Sequence, residues 1–301
     1  MILDVHAHYY PPAYFERLGR ELSLPPTAPL GSQSLAERLD LLDRTGVDAQ
    51  LLSIGNAQPY LPSRKDAQDA ARVLNDELAD VCEQHPGRFR ALAALPLPHV
   101  DESLAEIERA AGLAPVVGYT LGCSVGGQQL DDAGFVPVLE ELDRRRATVL
   151  LHPVGGGSGP GLEGYNLSWL VGAPFEDTLT ALRLVLSGTV ERFCALRFVV
   201  PHLGGTIPFV FARLGRLARQ PGVLEGLRSL YYDTVSGSVA SLACACATIG
   251  ADRLLFGTDY PFGDEAQFVH HLEHLSHAGL AAAELRAVAG ERAVALFGLE
   301  V

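Results

Sequence analysis

Five side chains suited to metal binding or proton transfer sit in short apolar contexts. They are His6 and His8 in Asp4-Val-His6-Ala-His8, His152 in Leu150-Leu-His152-Pro, His202 in Val199-Val-Pro-His202-Leu-Gly-Gly, and Asp259 in Phe256-Gly-Thr-Asp259-Tyr-Pro-Phe262. With 10 histidines in 301 residues, about 0.3 His-x-His patterns arise by chance, so His6 and His8 alone carry little weight. Alternate residues of a strand point to one side, however, so both imidazoles can face the same space. Three imidazoles and a carboxylate suit Zn²⁺ with one position open for water or substrate; Mn²⁺ and Fe²⁺ are also admitted, because N/O donors discriminate weakly among them. Such an ion acts as a Lewis acid and brings the pKa of a water it holds toward neutrality. His202, with an ordinary pKa of about 6.5, can instead stand off the ion and carry protons. A histidine at a strand end is often only a hydrogen-bonded structural group, and Asp259 alone could cap a helix. It is the joint set that points to one divalent metal ion held by His6, His8, His152 and Asp259, with His202 and Asp259 as catalytic groups.

The elements that must position these residues alternate from end to end. Short apolar runs predict eight strands, Ile2–His6, Ala49–Ile54, Arg90–Leu95, Pro115–Leu121, Thr148–His152, Arg197–His202, Ser229–Asp233 and Arg253–Gly257. Runs of this type suit strands buried on both faces. Helical periodicity falls between them, from the capping box Ser34-Leu-Ala-Glu37, which opens a helix closed at Gly46, to Arg292–Leu296 near the end. The implied fold is a single-domain α/β (β/α)8 barrel over residues 1–301, with long loops at 9–33 and 153–173. His152, His202 and Asp259 fall at strand C-termini, the rim on which such barrels carry their chemistry.

Composition narrows the partners. The net charge of −13 argues against nucleic acid and anionic membrane, and leaves a small anionic substrate gripped by local positive charge. No basic leader or apolar segment precedes Ile2, and no run is long enough to span a membrane. The five scattered cysteines then read as reduced thiols in a cytoplasmic protein. The remaining histidines have plainer readings: His270, His271, His274 and His277 form an exposed helix face, His85 ends a helix, and His99 follows strand 3. The Gly155–Gly157 run lacks the lysine of a phosphate loop and reads as a flexible turn.

The four pieces in this order resemble the amidohydrolase superfamily. Within it they resemble the branch of metal-dependent nonoxidative decarboxylases that includes the aminocarboxymuconate-semialdehyde enzyme. The more specific marks are Asn166-Leu-Ser-Trp169-Leu-Val-Gly-Ala-Pro-Phe-Glu-Asp-Thr178, His202-Leu-Gly-Gly-Thr-Ile-Pro-Phe-Val-Phe-Ala-Arg213 and Gly257-Thr-Asp-Tyr-Pro-Phe262. The resemblance implies the same four metal ligands, His202 as acid/base, and Trp169 and Phe262 in the substrate pocket. It also implies a homodimer in which Arg213 reaches the neighbouring active site and holds a substrate carboxylate. Two departures stand out: Leu203 replaces the first glycine of the usual His-Gly-Gly-Gly, and no clear match exists for a second substrate arginine, for which Arg17, Arg20 and Arg38 are candidates. Binuclear members bridge their metals through a lysine after strand 4. The single lysine here, Lys65, falls elsewhere, which implies a mononuclear site.

The expected activity is loss of CO₂ from a small unsaturated or aromatic carboxylic acid, with His202 activating water or protonating carbon. The same groups would serve a hydrolase of a lactone, ester or amide, and a non-catalytic metal-binding barrel is the third reading.

Overall fold

In the computed structural model, residues 1–19, 34–155 and 161–300 are described. Strands β1 (Leu3–His8), β2 (Ala49–Ser53), β3 (Phe89–Ala94), β4 (Val116–Gly122), β5 (Thr148–His152), β6 (Arg197–Val200), β7 (Tyr231–Asp233) and β8 (Leu254–Leu255) lie side by side in chain order as one parallel sheet. The sheet closes on itself. Val5 N–H donates to Phe256 O at 2.9 Å, Asp259 N–H to His6 O at 2.7 Å, and Ala7 bridges Tyr260 in parallel. The expected (β/α)8 barrel is therefore the observed one. Its interior is filled by Leu3, Val5, Leu51, Leu92, Leu150, Val199 and Leu255, all fully buried, so the barrel is a packed core with chemistry only at its rim.

Helices α1 (Pro12–Arg17), α2 (Leu35–Thr45), α3 (Arg64–Gln84), α4 (Val100–Ala110), α5 (Val136–Arg144), α6 (Ala173–Leu186) and α7 (Thr189–Arg192) cover the first six strands. Helices α8 (Ile207–Leu217), α9 (Val223–Ser229), α10 (Val239–Thr248), α11 (Glu265–Ser276), α12 (Ala282–Arg286) and α13 (Arg292–Phe297) complete the ring. The cap signals read correctly: Ser34 Oγ accepts from Glu37 N–H, and Gly46 ends α2 with φ +74°. Sequence periodicity missed α1, α7 and α9, which have four to seven residues and too few turns to show a 3.6-residue repeat. The predicted helix from Ala133 is a 3₁₀ turn, Ala133–Phe135, followed by α5.

The histidine-rich helix departs from expectation. In α11, His271 and His274 are buried together with Phe268 and Leu275, so these two do not belong to an exposed face. His270 Nε2 donates to the backbone oxygen of Gly237 at 2.9 Å and His274 Nε2 to that of Thr234 at 3.2 Å, tying α11 to the segment after β7. Lys65 lies on the outside of α3, exposed and paired with Asp69. All five cysteines are unpaired. No helix among the described residues is long and apolar enough to cross a membrane. The expected glycine-rich turn falls partly outside the described residues, since Gly156 and Gly157 are among 156–160.

Candidate metal centre

Strand β1 extends to His8, and its alternation carries His6 and His8 to the rim, where both are fully buried. His152 ends β5. Asp259 follows β8 in a left-handed conformation, φ +62°, a strained geometry for a non-glycine residue that turns its carboxylate back over β1. One donor atom from each of His6, His8, His152 and Asp259 lies within 4.8 Å of the other three.

The hydrogen bonds on the far side of each ring decide what these atoms offer. His152 Nδ1 lies 2.7 Å from the carbonyl of Pro153, which only accepts, so Nδ1 carries the proton. His6 Nδ1 donates to Asp233 Oδ2 at 2.6 Å, and His8 Nδ1 meets Ser53 Oγ at 2.9 Å, an oxygen that also accepts from Gly55 N–H. The Nε2 atoms therefore turn inward, those of His8 and His152 with lone pairs available. His8 Nε2 is 3.1 Å from His6 Nε2, 3.2 Å from His152 Nε2 and 2.8 Å from Asp259 Oδ1. Lone pairs and a carboxylate crowded this closely repel unless a positive charge lies among them. The donor chemistry thus fits a divalent cation, and the oxygen held by the outer nitrogen of each imidazole is what such a centre requires.

Electrostatics agree. Burial opposes charging of His6, but Asp233 and Asp259 outweigh it and raise its pKa to about 10. Burial, with repulsion from His6 and Arg38, lowers His8 to about 4 despite Asp259, and burial together with His8 and His6 drives His152 well down. Burial would raise Asp259, yet His6, His202 and His8 hold it well below the carboxylate range. The two carboxylates keep a proton on His6 that an incoming dication must displace.

His202 follows β6 at φ +53°, with Leu203 at +55° and two more left-handed residues, Gly204 and Gly205. At Gly205 a Cβ would lie 1.9 Å from Pro174 O, so only glycine fits there. Leu203, where the family's usual glycine is absent, is buried. The turn aims His202 so that Nδ1 meets Asp177 Oδ2 at 2.8 Å and Nε2 faces Asp259 Oδ2 at 3.6 Å. Burial disfavours its charge, but Asp177 and Asp259 raise its pKa well above that of a free histidine. His202 and Asp259 are about one-fifth exposed while His6 and His8 are not, so the cluster opens to solvent on their side.

Phe262 stands edge-on to His8 with ring centroids 5.5 Å apart, at the rim of the cluster. Trp169 covers Gly155, where an added Cβ would lie 3.0 Å from its ring, close to the His152–Pro153 turn. Arg213 is exposed on α8 and has no hydrogen-bond or ion-pair partner at this centre among the described residues. Arg17 pairs with Asp66 and Asp69 on the surface. Arg38 is fully buried, donating to His8 O at 2.6 Å and to Gln50 Oε1 at 3.1 Å under the Tyr260 ring. Neither Arg17 nor Arg38 is placed to grip substrate, and Arg20 lies outside the described residues.

The sequence did not single out Asp233 or Asp177. Asp233 ends β7, fully buried; besides His6 it accepts from the backbone N–H of His202 at 2.9 Å and of Val235 at 3.0 Å. Asp177 is a buried acid on α6, raised by burial to about 6 against the pull of His202. Its signal was positional: Ala173, Asp177, Thr180, Ala181 and Leu184 form the inward stripe of α6.

A barrel rim that gathers three imidazoles and a carboxylate, with a carboxylate-held histidine beside them, defines a single-ion hydrolytic or lytic centre. A family model described as amidohydrolase matches residues 3–299, and the chain belongs to this family. It is 30% identical over 236 residues to the 2-amino-3-carboxymuconate-6-semialdehyde decarboxylase of Dictyostelium discoideum, a match covering 75% of this chain and 66% of that protein. It is also 30% identical over 248 residues to the gamma-resorcylate decarboxylase of Rhizobium radiobacter, covering 75% and 76%. The crystal structure of 2,6-dihydroxybenzoate decarboxylase complexed with 2,6-dihydroxybenzoate superposes with a TM-score of 0.82 at 25% identity, covering 99% of each chain.

Proposed function

We propose that this chain is a metal-dependent nonoxidative decarboxylase, a carbon–carbon lyase for a small aromatic or unsaturated carboxylic acid. The observation that carries this reading is the placement of His202 beside the donor cluster, held at Nδ1 by Asp177 with Nε2 facing Asp259. The decarboxylase relatives support it.

His6, His8, His152 and Asp259 would hold one divalent ion, with Zn²⁺ the best match to a donor set of three imidazoles and a carboxylate, and Mn²⁺ or Fe²⁺ compatible. When bound, the ion supplies Lewis acidity to a substrate oxygen. Asp233 and Ser53 orient the imidazoles of His6 and His8. Asp177 accepts the Nδ1 proton of His202 and favours the imidazolium, which carries a second proton at Nε2. His202 delivers that proton to the carbon bearing the carboxylate. The carbon–carboxylate bond then breaks, CO₂ leaves, and the bonding electrons return to the unsaturated system. A proton from solvent restores His202. Trp169 and Phe262 form apolar walls suited to a flat substrate.

We further propose that the working unit is a homodimer. Phe209, Arg213 and Leu217 share one stripe of α8, and Phe209 and Leu217 are 89% and 61% exposed. Tyr165, Leu170, Phe175 and Leu179 are further exposed apolar side chains on α6 and the turn before it, and α6 and α8 both pack on the His202 turn. A second copy covering the surface would bring Arg213 toward a neighbouring mouth, where its fork suits a carboxylate.

The test uses protein of measured metal content and a panel of hydroxybenzoic and unsaturated acids, followed by CO₂ release. Turnover should vanish in His202→Ala with metal retained. Release of an alcohol or amine from lactones or amides, without CO₂, would overturn the lyase reading. Mixing Arg213→Ala with His202→Ala chains should restore one competent site per dimer, and no recovery with exchange verified would refute the action in trans.

A further inference from the structure

The base of the barrel, opposite the metal centre, holds a concave site that the chemistry above does not use. It has a volume of about 520 Å³ and lies where β4, β5 and β6 begin, against the end of α13. Its floor is apolar, with Val117, Leu296 and Phe297. Its wall carries three arginines, Arg145, Arg146 and Arg197, and no acidic residue lines it among those described. Arg145 is already neutralised by Glu141 and Glu108. Arg146 and Arg197 meet no carboxylate among the described residues, and Arg197 Nη1 instead donates to Arg146 O at 3.0 Å. In a chain of net charge −13, two arginines lining one cavity without acidic partners are unusual.

The backbone gives an independent pointer. Helix α5 ends in a Schellman turn: Ala147 N–H donates to Leu142 O at 2.9 Å, and Arg146 N–H to Asp143 O at 2.8 Å. The left-handed residue of that turn is Arg146, at φ +54°. Glycine is the residue this position favours, because a side chain there is strained. The chain keeps an arginine at the one point of the turn where arginine is unfavourable, at the edge of the cavity.

We infer that this concavity is a second binding site, separate from the metal centre, for a small carboxylate with an apolar body. The arginine pair matches the charge and planar geometry of a carboxylate, and Val117, Leu296 and Phe297 match a ring or branched chain. An occupant would span the α5–β5 turn and the last helix.

The geometry supplies its own control. Arg146→Gly removes a guanidinium while relieving the left-handed strain, so this variant should fold, melt no lower than the parent and turn over normally. Benzoate is titrated calorimetrically into the metal-loaded protein at constant ionic strength, with sulfate as an anion lacking the apolar body. The expected result is a saturable benzoate component, tighter than sulfate, that survives His202→Ala and weakens at least tenfold in Arg146→Gly/Arg197→Gln. Identical isotherms for parent and double variant, or a benzoate component lost only in His202→Ala, would overturn the inference; the latter would place all binding at the metal centre.

Discussion

Replacing Arg38 by Met tests how the rim is held. Arg38 joins α2 to the last carbonyl of β1, at His8, and through Gln50 to Asp4. Asp4 in turn accepts from the backbone N–H of His6 and from both the backbone N–H and the hydroxyl of Thr258. One guanidinium thus steadies the backbone on either side of His6, His8 and Asp259. The substitution removes two charge-assisted hydrogen bonds, each worth about 1.5–3 kcal/mol. It also removes a cation–π contact of roughly 0.5–2 kcal/mol with Tyr260. Against this stands the recovered cost of burying a charge, which is several kcal/mol. Asp4 decides the balance. Burial raises its pKa to about 6 against hydrogen bonds from Thr258 and Gln50, and the substitution removes the buried cation linked to it through Gln50. The net expectation is a loss of about 3 kcal/mol in stability, as for other buried charges robbed of a partner. Metal affinity should fall at least about tenfold, because the backbone at His8 is released. Denaturant unfolding gives the first quantity and competition with a chelator the second. Leu41→Ala on the same helix is the control: it should cost about 2–5 kcal/mol with little change in metal affinity. A stability loss under about 1 kcal/mol in Arg38→Met, with affinity unchanged, would refute the assigned role.

Three further outcomes follow from the same geometry. Asp177→Asn keeps an acceptor for His202 Nδ1 but removes the charge, so kcat should fall by about 10²–10³ with KM and stability little altered, as steady-state kinetics and thermal melts would show. Gly55→Ala adds a Cβ 2.8 Å from His8 Nδ1 at φ +60°; the displaced ring should weaken metal binding by at least about tenfold, as measured by titration of the metal-depleted protein. Burial, with repulsion from His274, lowers the His271 pKa to about 4. The unfolded chain binds this proton more readily, so His271 destabilises the fold as the pH drops below about 6.5, by about 3 kcal/mol on reaching pH 4. Stability of His271→Leu should therefore depend less steeply on pH between 6.5 and 4, and an unchanged slope contradicts the assignment.

Much of the centre was legible in the sequence because strand alternation and strand ends are strong signals. His6, His8, His152, His202 and Asp259 all lie where a parallel barrel exposes its rim. The residues that orient them were not, for a common reason. Asp177, Arg38, His271 and His274 are polar groups on the inward stripes of their helices, and a periodicity reading assigns polar residues to solvent. The informative signal is the exception to the stripe, such as Arg38 beside Leu41 and Leu42. Arg38 also shows why charge alone misleads: as a free cation it suggested a substrate contact, but it is fully buried and held by His8 O, Gln50 and the Tyr260 ring. The short strand β8 was overestimated because Phe256 and Gly257 continue the apolar run after the ladder has ended.

The seam where the first strand meets the last has a consequence for how the protein is made. The proposed donors are spread from residue 6 to residue 259, so a growing chain exposes two imidazoles at once and its carboxylate near the end. At ordinary synthesis rates of about 5–20 residues per second, the interval is on the order of 10–50 s. Throughout it the ribosome-bound chain carries a donor set that lacks the Asp259 carboxylate. Tight metal binding is therefore deferred until the barrel zips shut, and chains truncated before Asp259 should capture metal only loosely.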